Sequence, residues 1–225
     1  MNYKEYLTGK KHVDQFNVGE KFTIPYGIVE DEIELVVLHI YDNVFGDTIY
    51  LDIMSTLPLL ISAWKKEWRS SGLIDGNRIL RWETSGIKAN LQRIKSYFND
   101  DFKKYLKSDI RTTRLSSFDF ENGISNIYYA DQIQKGTVWL PTLTEVIGEN
   151  DYSNANPNDV QLDYFKSRLN RIITNEKGNP EPYWLCSTDI SGTRAVAIDS
   201  NGCFMYADPT AIYNSPFCLT LKVEV

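Results

Sequence analysis

Apolar and polar residues alternate with a period of two in three runs near the start of the chain. The runs are Phe22 to Tyr26, Ile33 to His39 and Thr48 to Met54. This period is typical of β-strands that bury one face. The pattern therefore predicts three early strands, and it places the acidic run from Glu30 to Glu32 in the loop between the first two.

Helical spacing follows the third strand. A helix is predicted from Leu57-Pro58, because Ser55 or Thr56 can cap it and proline is tolerated in a first turn. Its apolar face consists of Leu60, Ile61, Trp64 and Trp68.

Three shorter helices are predicted further along the chain. One follows Ser85-Gly86, and a second surrounds Phe102. The third spans Thr142 to Ile147, where Thr142 and Glu145 stand three residues apart in a capping-box pattern. The apolar face of the first of these consists of Ile87, Leu91, Ile94 and Phe98.

The middle of the chain, Arg111 to Val138, has no clean period apart from Ile127 to Tyr129, which favours a strand. The segment from Asn150 to Asp159 is rich in Asn, Asp, Ser and Pro, and this composition predicts a loop. Phe165 to Ile173 is apolar enough for a short helix or packed coil.

Strand patterns return in the C-terminal region. Tyr183 to Cys186 and Arg194 to Ile198 read as strands, and the turn from Asp199 to Gly202 predicts a hairpin that returns through Cys203 to Tyr206. Phe217 to Val225 alternates and predicts a last strand.

Two parts follow from this order. Residues 1–15 are polar and mixed in charge, which predicts an N-terminal arm that is either frayed or ordered only on a partner. Residues 16–225 contain no repeat or linker, so they predict one α+β domain with strands at both ends and helices between. A content of 42% hydrophobic and 24% charged residues is globular and excludes a disordered chain.

The charge and hydropathy of the chain limit the classes of partner that it is expected to bind. The chain carries 24 basic and 30 acidic residues, a formal net charge of −6, and it shows no basic stripe that would predict nucleic-acid binding. The longest nearly uncharged stretch, Ile53 to Trp64, is about half of the ~20 residues that span a bilayer, so no membrane association is predicted. The first twenty residues contain no apolar block, and we expect a protein made in the cytoplasm without a signal peptide.

Several short motifs, taken in their order along the chain, resemble those of known protein families. Residues 139–146, Trp-Leu-Pro-Thr-Leu-Thr-Glu-Val, look like the Leu-Pro-Thr-x-x-Glu segment of the formylglycine-generating-enzyme branch of the C-type-lectin-like fold. A closer resemblance is to uncharacterised bacterial and phage domains of unknown function. The matching segments are Gly19-Glu20-Lys21-Phe22, Trp82-Glu83-Thr84-Ser85, Tyr183-Trp184-Leu185-Cys186-Ser187, Ala195 to Gly202, and Ser215-Pro216-Phe217-Cys218-Leu219.

This resemblance covers Gly19 to Leu221 and implies a C-type-lectin-like α+β fold. Cys186 and Ser215 replace the two arginines of the family pattern, so the role of those arginines does not transfer to this chain. Fold alone does not carry function.

The three cysteines fall on predicted strands. Cys186, Cys203 and Cys218 are interpreted first as buried small residues, because unpaired cysteine is among the most buried types. A disulfide and a catalytic pair remain open, since the oxidase branch of the resembled fold binds copper through a cysteine pair.

Metal sites find little support in the sequence. His12 lies in the arm and His39 alternates in register with Ile33 to Val37, which predicts a satisfied inward or edge residue rather than a zinc ligand. Sugar-binding lectins use a Glu-Pro-Asn calcium loop, but here Tyr183 follows Glu181-Pro182. The preceding loop offers oxygen ligands at Asp151, Asn154, Asn156, Asn158 and Asp159, yet a solvated polar loop is the interpretation we prefer. We predict no metal, no cofactor and no catalytic residue.

One segment has the composition of a binding loop. Tyrosine with asparagine, serine and small residues gives large contact area with adaptable hydrogen bonding. The candidate ligand-binding residues are Tyr206, Asp208, Tyr213, Asn214 and Ser215. The alternative is that Tyr206 and Tyr213 only cover the sheet edge.

The sequence thus predicts a non-enzymatic structural or binding protein, and the resemblance to phage domains favours a virion component that decorates a capsid or tail. Its partners would be other virion proteins or a cell-surface ligand, with residues 1–15 docking and the Tyr206–Ser215 face outward; self-association is left open. The alternatives are a bacterial adhesin-like or carbohydrate-binding module and, more distantly, a metal-dependent oxidase of the formylglycine-generating type.

Overall fold

The structure is a computed structural model of the chain. It describes residues 1–27, 31–41, 48–58, 60–63, 80, 85–107, 109–121, 124–148, 160–189 and 193–224. No helix in these ranges is both long and apolar enough to cross a bilayer.

Short helices and many strands make up the described chain. The helices are α1 (Tyr3–Thr8), α2 (Gly86–Ile94), α3 (Asp100–Lys103) and α4 (Leu143–Ile147). The strands are β1 (Lys21–Tyr26), β2 (Asp31–Tyr41), β3 (Thr48–Ser55), β4 (Leu60–Ala63), β5 (Leu106–Lys107), β6 (Asp109–Glu121), β7 (Ile124–Gly136), β8 (Val138–Trp139), β9 (Ile173–Thr174), β10 (Pro180–Glu181), β11 (Tyr183–Thr188), β12 (Ala195–Ile198), β13 (Phe204–Ala207), β14 (Ile212–Ser215) and β15 (Cys218–Glu224).

Two sheets dominate the architecture. A six-stranded sheet has the order β1-β2-β3-β15-β5, with β8 also paired to β15, and a five-stranded sheet has the order β13-β12-β11-β14-β4. The strands β6 and β7 pair with each other, as do β9 and β10. Among the described strands only β11 and β14 run parallel, so the fold is α+β with mainly antiparallel sheets, as the sequence predicts.

Alternate residues of the same strands supply two hydrophobic cores. On β11, Trp184 and Cys186 belong to the larger core, whereas Tyr183 and Leu185 belong to the smaller one. The larger core also receives the buried faces of α1 and α2, and the smaller core receives α4. Both sheets are therefore covered on both faces, which lets apolar residues follow one another along a strand.

Several local predictions are confirmed. Strands β1, β2 and β3 match the three early runs, and α2 begins where Ser85 accepts a hydrogen bond from the amide of Lys88 at 3.1 Å. The hairpin of β12 and β13 turns at Gly202, whose φ is +76°. The last strand is β15.

Two predictions near the start of the chain are wrong. Asp31 and Glu32 are not loop residues, because they begin β2 opposite Tyr26 and Pro25. The helix from Leu57-Pro58 is also not formed, since residues 60–63 make strand β4, paired with β14. A backbone ladder with a distant strand has here overridden the local helical spacing. Trp64 and Trp68 lie outside the described residues.

The region without a clean period is a long hairpin. The ladder of β6 and β7 runs from the Asp109–Gly136 pair to the Glu121–Ile124 pair, and it contains the predicted strand at Ile127 to Tyr129. Residues 163–166 and 168–171 form short 3-10 helices, close to the predicted helix or packed coil. The predicted loop at Asn150 to Asp159 lies outside the described residues.

The N-terminal segment is neither frayed nor an arm that waits for a partner. Tyr3, Tyr6 and Leu7 of α1 are 1–3% exposed and belong to the larger core. Asn2 caps the helix by accepting a hydrogen bond from the amide of Glu5 at 3.0 Å. Helix α1 is therefore part of the packed structure, and Val13 also packs against the larger core.

Candidate functional site

The predicted binding residues lie on two strands that are not neighbours. Tyr206 is on β13 and Tyr213 is on β14, and β12 and β11 lie between these strands in the five-stranded sheet. Tyr206 packs against the smaller core, whereas Tyr213 packs against the larger one. The two rings therefore lie on opposite faces of the sheet.

Each of these tyrosines has its own local partners. The guanidinium of Arg194 lies 4.3 Å from the ring centroid of Tyr206, and Phe204 makes an edge contact at 5.9 Å. On the other face, the ring of Tyr213 lies 4.7 Å from that of Trp184. Both contacts fit the alternative interpretation, in which the tyrosines cover the sheet.

The remaining predicted residues divide between the interior and a turn. Asn214 is 5% exposed and Ser215 is fully buried, so neither presents its side chain to solvent. Asp208 is exposed, and its carboxylate accepts hydrogen bonds from the amide and hydroxyl of Thr210 at 2.8 and 2.6 Å. The structure does not bring the five residues together on one surface.

Glu181, in the Glu181-Pro182 segment, holds neighbouring parts of the fold together through hydrogen bonds. The carboxylate of Glu181 accepts a hydrogen bond from the amide group of Asn175 at 2.6 Å and a second, short one from Asn214. The first bond joins β10 to the residue that follows β9 and the second joins β10 to β14, so both carboxylate oxygens are used. Within the described ranges no cluster of His, Cys, Asp or Glu is arranged to hold a metal ion, and the oxygen ligands proposed between residues 151 and 159 lie outside those ranges.

The three cysteines occupy three different environments. Cys186 lies in the larger core and Cys218 in the smaller one, and both are buried. Cys203 is exposed and precedes β13 rather than lying on it. A copper-binding pair needs two thiols that face each other, and this placement on opposite sides of the sheets does not support one.

His39 lies on the opposite face of β2 from Ile33, Leu35 and Val37, the residues with which the alternating sequence pattern groups it. A β-bulge shifts the ladder between β2 and β3, so that Val37 is opposite Ile53 but His39 is opposite Asp52. A shift of one residue exchanges the faces of a strand, so the predicted register of His39 with Val37 is wrong. The Nδ1 atom of His39 lies 2.8 Å from the carboxylate of Asp163.

A buried carboxylate lies next to this histidine. Asp52 is fully buried and accepts hydrogen bonds from the hydroxyls of Tyr41 at 2.8 Å and Thr220 at 2.7 Å. The ring of Tyr41 packs edge-on against His39 at 4.5 Å. This polar cluster ties β2, β3 and β15 together across the sheet.

A groove beside α1 opens on the surface of the described chain. The groove has a volume of about 900 Å³, and its walls come from α1, α3 and the end of β15. Five lysines line it, namely Lys4, Lys10, Lys11, Lys104 and Lys222, against only two carboxylates, Asp101 and Glu224. Sequence reasoning misses this site, because its lysines come from parts of the chain that only the fold brings together.

The carboxylates of the groove are shared among its lysines. Asp101 pairs with Lys4 at 3.2 Å and with Lys104 at 2.8 Å, while Glu224 pairs with Lys222 at 3.0 Å. The hydrogen bond from Lys104, followed by that from Lys4, lowers the pKa of Asp101. Lys11 has no ion pair with any described residue, so the groove keeps a surplus of positive charge.

A separate network holds the wall of the groove in place. The phenol of Tyr6 donates a hydrogen bond of 2.7 Å to Glu20, which also pairs with Lys10. The ammonium of Lys10 lies 4.2 Å from the ring centroid of Tyr6. Burial raises the pKa of Tyr6, and the bond to Glu20 adds to this effect.

Comparisons with family models, with curated proteins and with solved structures give no match to this chain.

Proposed function

We propose that this protein is a non-enzymatic binding and structural protein that decorates the capsid or tail of a bacteriophage particle. The choice of a phage particle rests on the resemblance of its sequence motifs to bacterial and phage domains. The non-enzymatic part rests on how the fold uses its buried ionisable groups.

Those groups are engaged in holding the fold together. Among the residues whose side chains the structure describes, the buried carboxylates are Asp52, Glu145 and Asp189. Asp52 accepts two hydroxyl donors from neighbouring strands, and Glu145 accepts the amide of Thr142 at 2.7 Å. Asp189 accepts the amides of Thr193 and Arg194 and the Nε of Arg194, all within 3.0 Å. Carboxylates that already accept hydrogen bonds from the protein in this way stabilise loops and strands. This use favours a structural role over proton exchange with a substrate.

The surface that carries the binding role is the groove beside α1. This proposal keeps the expectation that the N-terminal region docks onto the assembly, but it assigns the docking to a different structural element. The docking element is the outer side of a packed helix and its neighbours α3 and β15, not a mobile arm. Deletion of Met1 to Gln15 would remove the core residues Tyr3, Tyr6 and Leu7, so it is not a clean test of docking.

The proposal is tested by mass spectrometry of density-purified phage particles from a lysing culture of the producer. A stoichiometric signal at 25.9 kDa is the expected result. If the protein is missing from the particles and remains in the soluble cell fraction, the virion role is wrong. The search then moves to the alternative of an adhesin-like or carbohydrate-binding module, by screening glycans.

A further inference from the structure

The turn between β12 and β13 contains an asparagine that is followed directly by a glycine. Asn201 is exposed, and its side-chain amide makes no hydrogen bond with any residue that the structure describes. Gly202 has no Cβ atom that would shield its backbone nitrogen from the Cγ atom of Asn201. An Asn-Gly pair is therefore the sequence in which a main-chain nitrogen most readily attacks an asparagine side chain.

The attack needs one water molecule and no other reactant. The nitrogen of Gly202 loses its proton and bonds to Cγ of Asn201, and the side-chain nitrogen leaves with that proton as ammonia, so that a succinimide ring forms. Water then adds to one of the two carbonyl groups of the ring and opens it, with no oxidation or reduction. Opening at one carbonyl leaves an aspartate, and opening at the other leaves an isoaspartate, whose main chain is longer by a carbon atom.

The turn holds the attacking nitrogen in a different arrangement. The amide of Gly202, a buried residue, donates a hydrogen bond of 3.0 Å to the carbonyl oxygen of Asp199, which closes a four-residue turn. Oδ1 of Asp199 also accepts the amides of Asn201 at 2.8 Å and Cys203 at 2.9 Å. Ring closure requires the Gly202 amide to lose its proton and to move onto Cγ of Asn201, and these bonds oppose both.

We propose that Asn201 is a site of spontaneous deamidation and that the hydrogen bonds of Asp199 set its rate. The reaction takes place when the turn opens and the Gly202 amide is released. Local opening of a turn costs less free energy than global unfolding, so the native protein reacts, but at a reduced rate. The inference goes beyond the proposed function, and its chemistry depends on no partner.

The product changes the charge and the geometry of the turn. Either form adds a carboxylate to the residue whose carbonyl oxygen accepts a hydrogen bond of 3.0 Å from Nε of Arg168. An isoaspartate also lengthens the chain between Asp199 and Cys203, whose amide and carbonyl groups are joined by a bond of 2.8 Å. In a particle outside the cell the protein is not renewed by synthesis, so the modified fraction would rise with the age of the particle.

The test follows the full chain in mildly alkaline buffer, by mass spectrometry of tryptic digests sampled over time. Deamidation replaces an amino group by a hydroxyl group and raises the mass of the peptide. Residues 195–222 are released as one peptide, and its fragment ions distinguish Asn201 from Asn214. The same chain unfolded in guanidinium gives the rate without the turn.

Three variants separate the hydrogen bonds from other effects. Asp199→Ala removes the acceptor of two turn amides, whereas Asp199→Asn keeps an acceptor oxygen at the same place. Asp208→Ala is the matched control, because Asp208 also accepts a backbone amide within an exposed turn and its loss changes the net charge equally. Circular dichroism checks that each variant is folded.

We expect Asn201 to deamidate at least about tenfold more slowly in the native protein than in guanidinium, because the reaction waits for the turn to open. Asp199→Ala should speed up the native reaction by about fivefold or more, relative to the rate of the same variant in guanidinium. Asp199→Asn should stay within about threefold of the wild type and Asp208→Ala within about twofold, since both keep the acceptor in this turn.

Three results would overturn the inference. An unreactive Asn201 in the unfolded chain would remove the modification site. Equal rates in the native and the unfolded chain would show that the turn does not control the reaction. No acceleration by Asp199→Ala, or an equal acceleration by Asp208→Ala, would show that the Asp199 hydrogen bonds do not set the rate. Because the assay uses isolated protein, its outcome is independent of the measurement on particles.

Discussion

The phenol oxygen of Tyr6 lies 2.7 Å from Oε2 of Glu20, and this bond fastens α1 to the turn that leads into β1. The same carboxylate accepts the side-chain amide of Asn17 at 2.9 Å and pairs with Lys10. The ring of Tyr6 stacks on Phe22 of β1 at 4.6 Å. One acidic residue therefore fixes the helix whose outer side forms the wall of the basic groove.

Glu20 predicts an acid-dependent loss of stability. Burial acts to raise the pKa of Glu20, but hydrogen bonds from Lys10, Asn17 and Tyr6 outweigh it and bring the pKa from 4.5 to about 2. Since the folded pKa lies below the unfolded one, the ionised carboxylate stabilises the fold above about pH 4.5, and this contribution is lost as the pH falls towards 2. We expect Glu20→Gln to lower the free energy of unfolding by ~1 kcal/mol at neutral pH and to flatten its decline in acid.

Urea unfolding followed between about pH 6 and pH 3 measures this effect. Glu176→Gln, at an exposed position, is the control for the loss of one negative charge. If Glu20→Gln and the wild type lose stability in parallel as the pH falls, the role assigned to Glu20 is wrong.

The capping box of α4 predicts a local loss of stability. The hydroxyl of Thr142 accepts the amide of Glu145 at 3.1 Å, and the carboxylate of Glu145 accepts the amide of Thr142 at 2.7 Å. We expect Thr142→Ala to lower the free energy of unfolding by ~1 kcal/mol, because one buried amide loses its acceptor. Thr142→Ser keeps the acceptor and should retain most of the stability in the same denaturant titration. Equal stability of the alanine variant and the wild type would contradict the role of the box.

Two glycines with the same backbone conformation make a matched pair. Gly202 and Gly178 have φ values of +76° and +77°. A Cβ on Gly202 would lie 2.8 Å from the carbonyl oxygen of Arg168, whereas a Cβ on Gly178 would meet nothing within 4 Å. We expect Gly178→Ala to lower the free energy of unfolding by ~1 kcal/mol through its conformation alone. Gly202→Ala should lower it by a further 1–3 kcal/mol, about the range for overpacking. Thermal unfolding of both variants is the measurement, and equal shifts would contradict the predicted clash.

The cysteine environments predict a simple labelling pattern. Cys203 is exposed, whereas Cys186 and Cys218 are buried in different cores. A thiol reagent such as dithionitrobenzoate should therefore react quickly with one cysteine of the native chain and with all three after unfolding in guanidinium. Cys203→Ser should abolish the fast phase. Fast labelling of two or more thiols in the native protein would contradict the placement of the buried pair.

The sequence carries a signal for α1 that reasoning from overall polarity overlooks. Tyr3, Tyr6 and Leu7 have the i, i+3, i+4 spacing of a helix face, and Asn2 stands at the capping position. The surrounding lysines obscured this short apolar face. The groove itself was beyond sequence reasoning, because Lys4, Lys104 and Lys222 come from distant parts of the chain.

Pairing partners explain the other differences. The early strands, α2, α4 and the β12–β13 hairpin are local patterns with their own caps and turns, and the sequence predicts them. Strand β4 depends on pairing with β14, and the position of His39 depends on a bulge in the ladder with β3. The placement of Tyr206 and Tyr213 on opposite faces follows from the pairing register, in which Asn214 is opposite Tyr183 and Tyr206 is opposite Val196, and no local pattern reveals this register.

Strand β15 has a consequence for how the protein is made. It is the last described strand to leave the ribosome, yet it lies between β3 and β5, with Leu219 opposite Ile53. Strands β1 to β3 must therefore remain in the nascent chain without this neighbour until translation has passed residue 218. Such long-range pairing slows folding and exposes an unpaired edge during synthesis. A product of premature termination before Cys218 would keep that edge permanently and should collect in inclusion bodies.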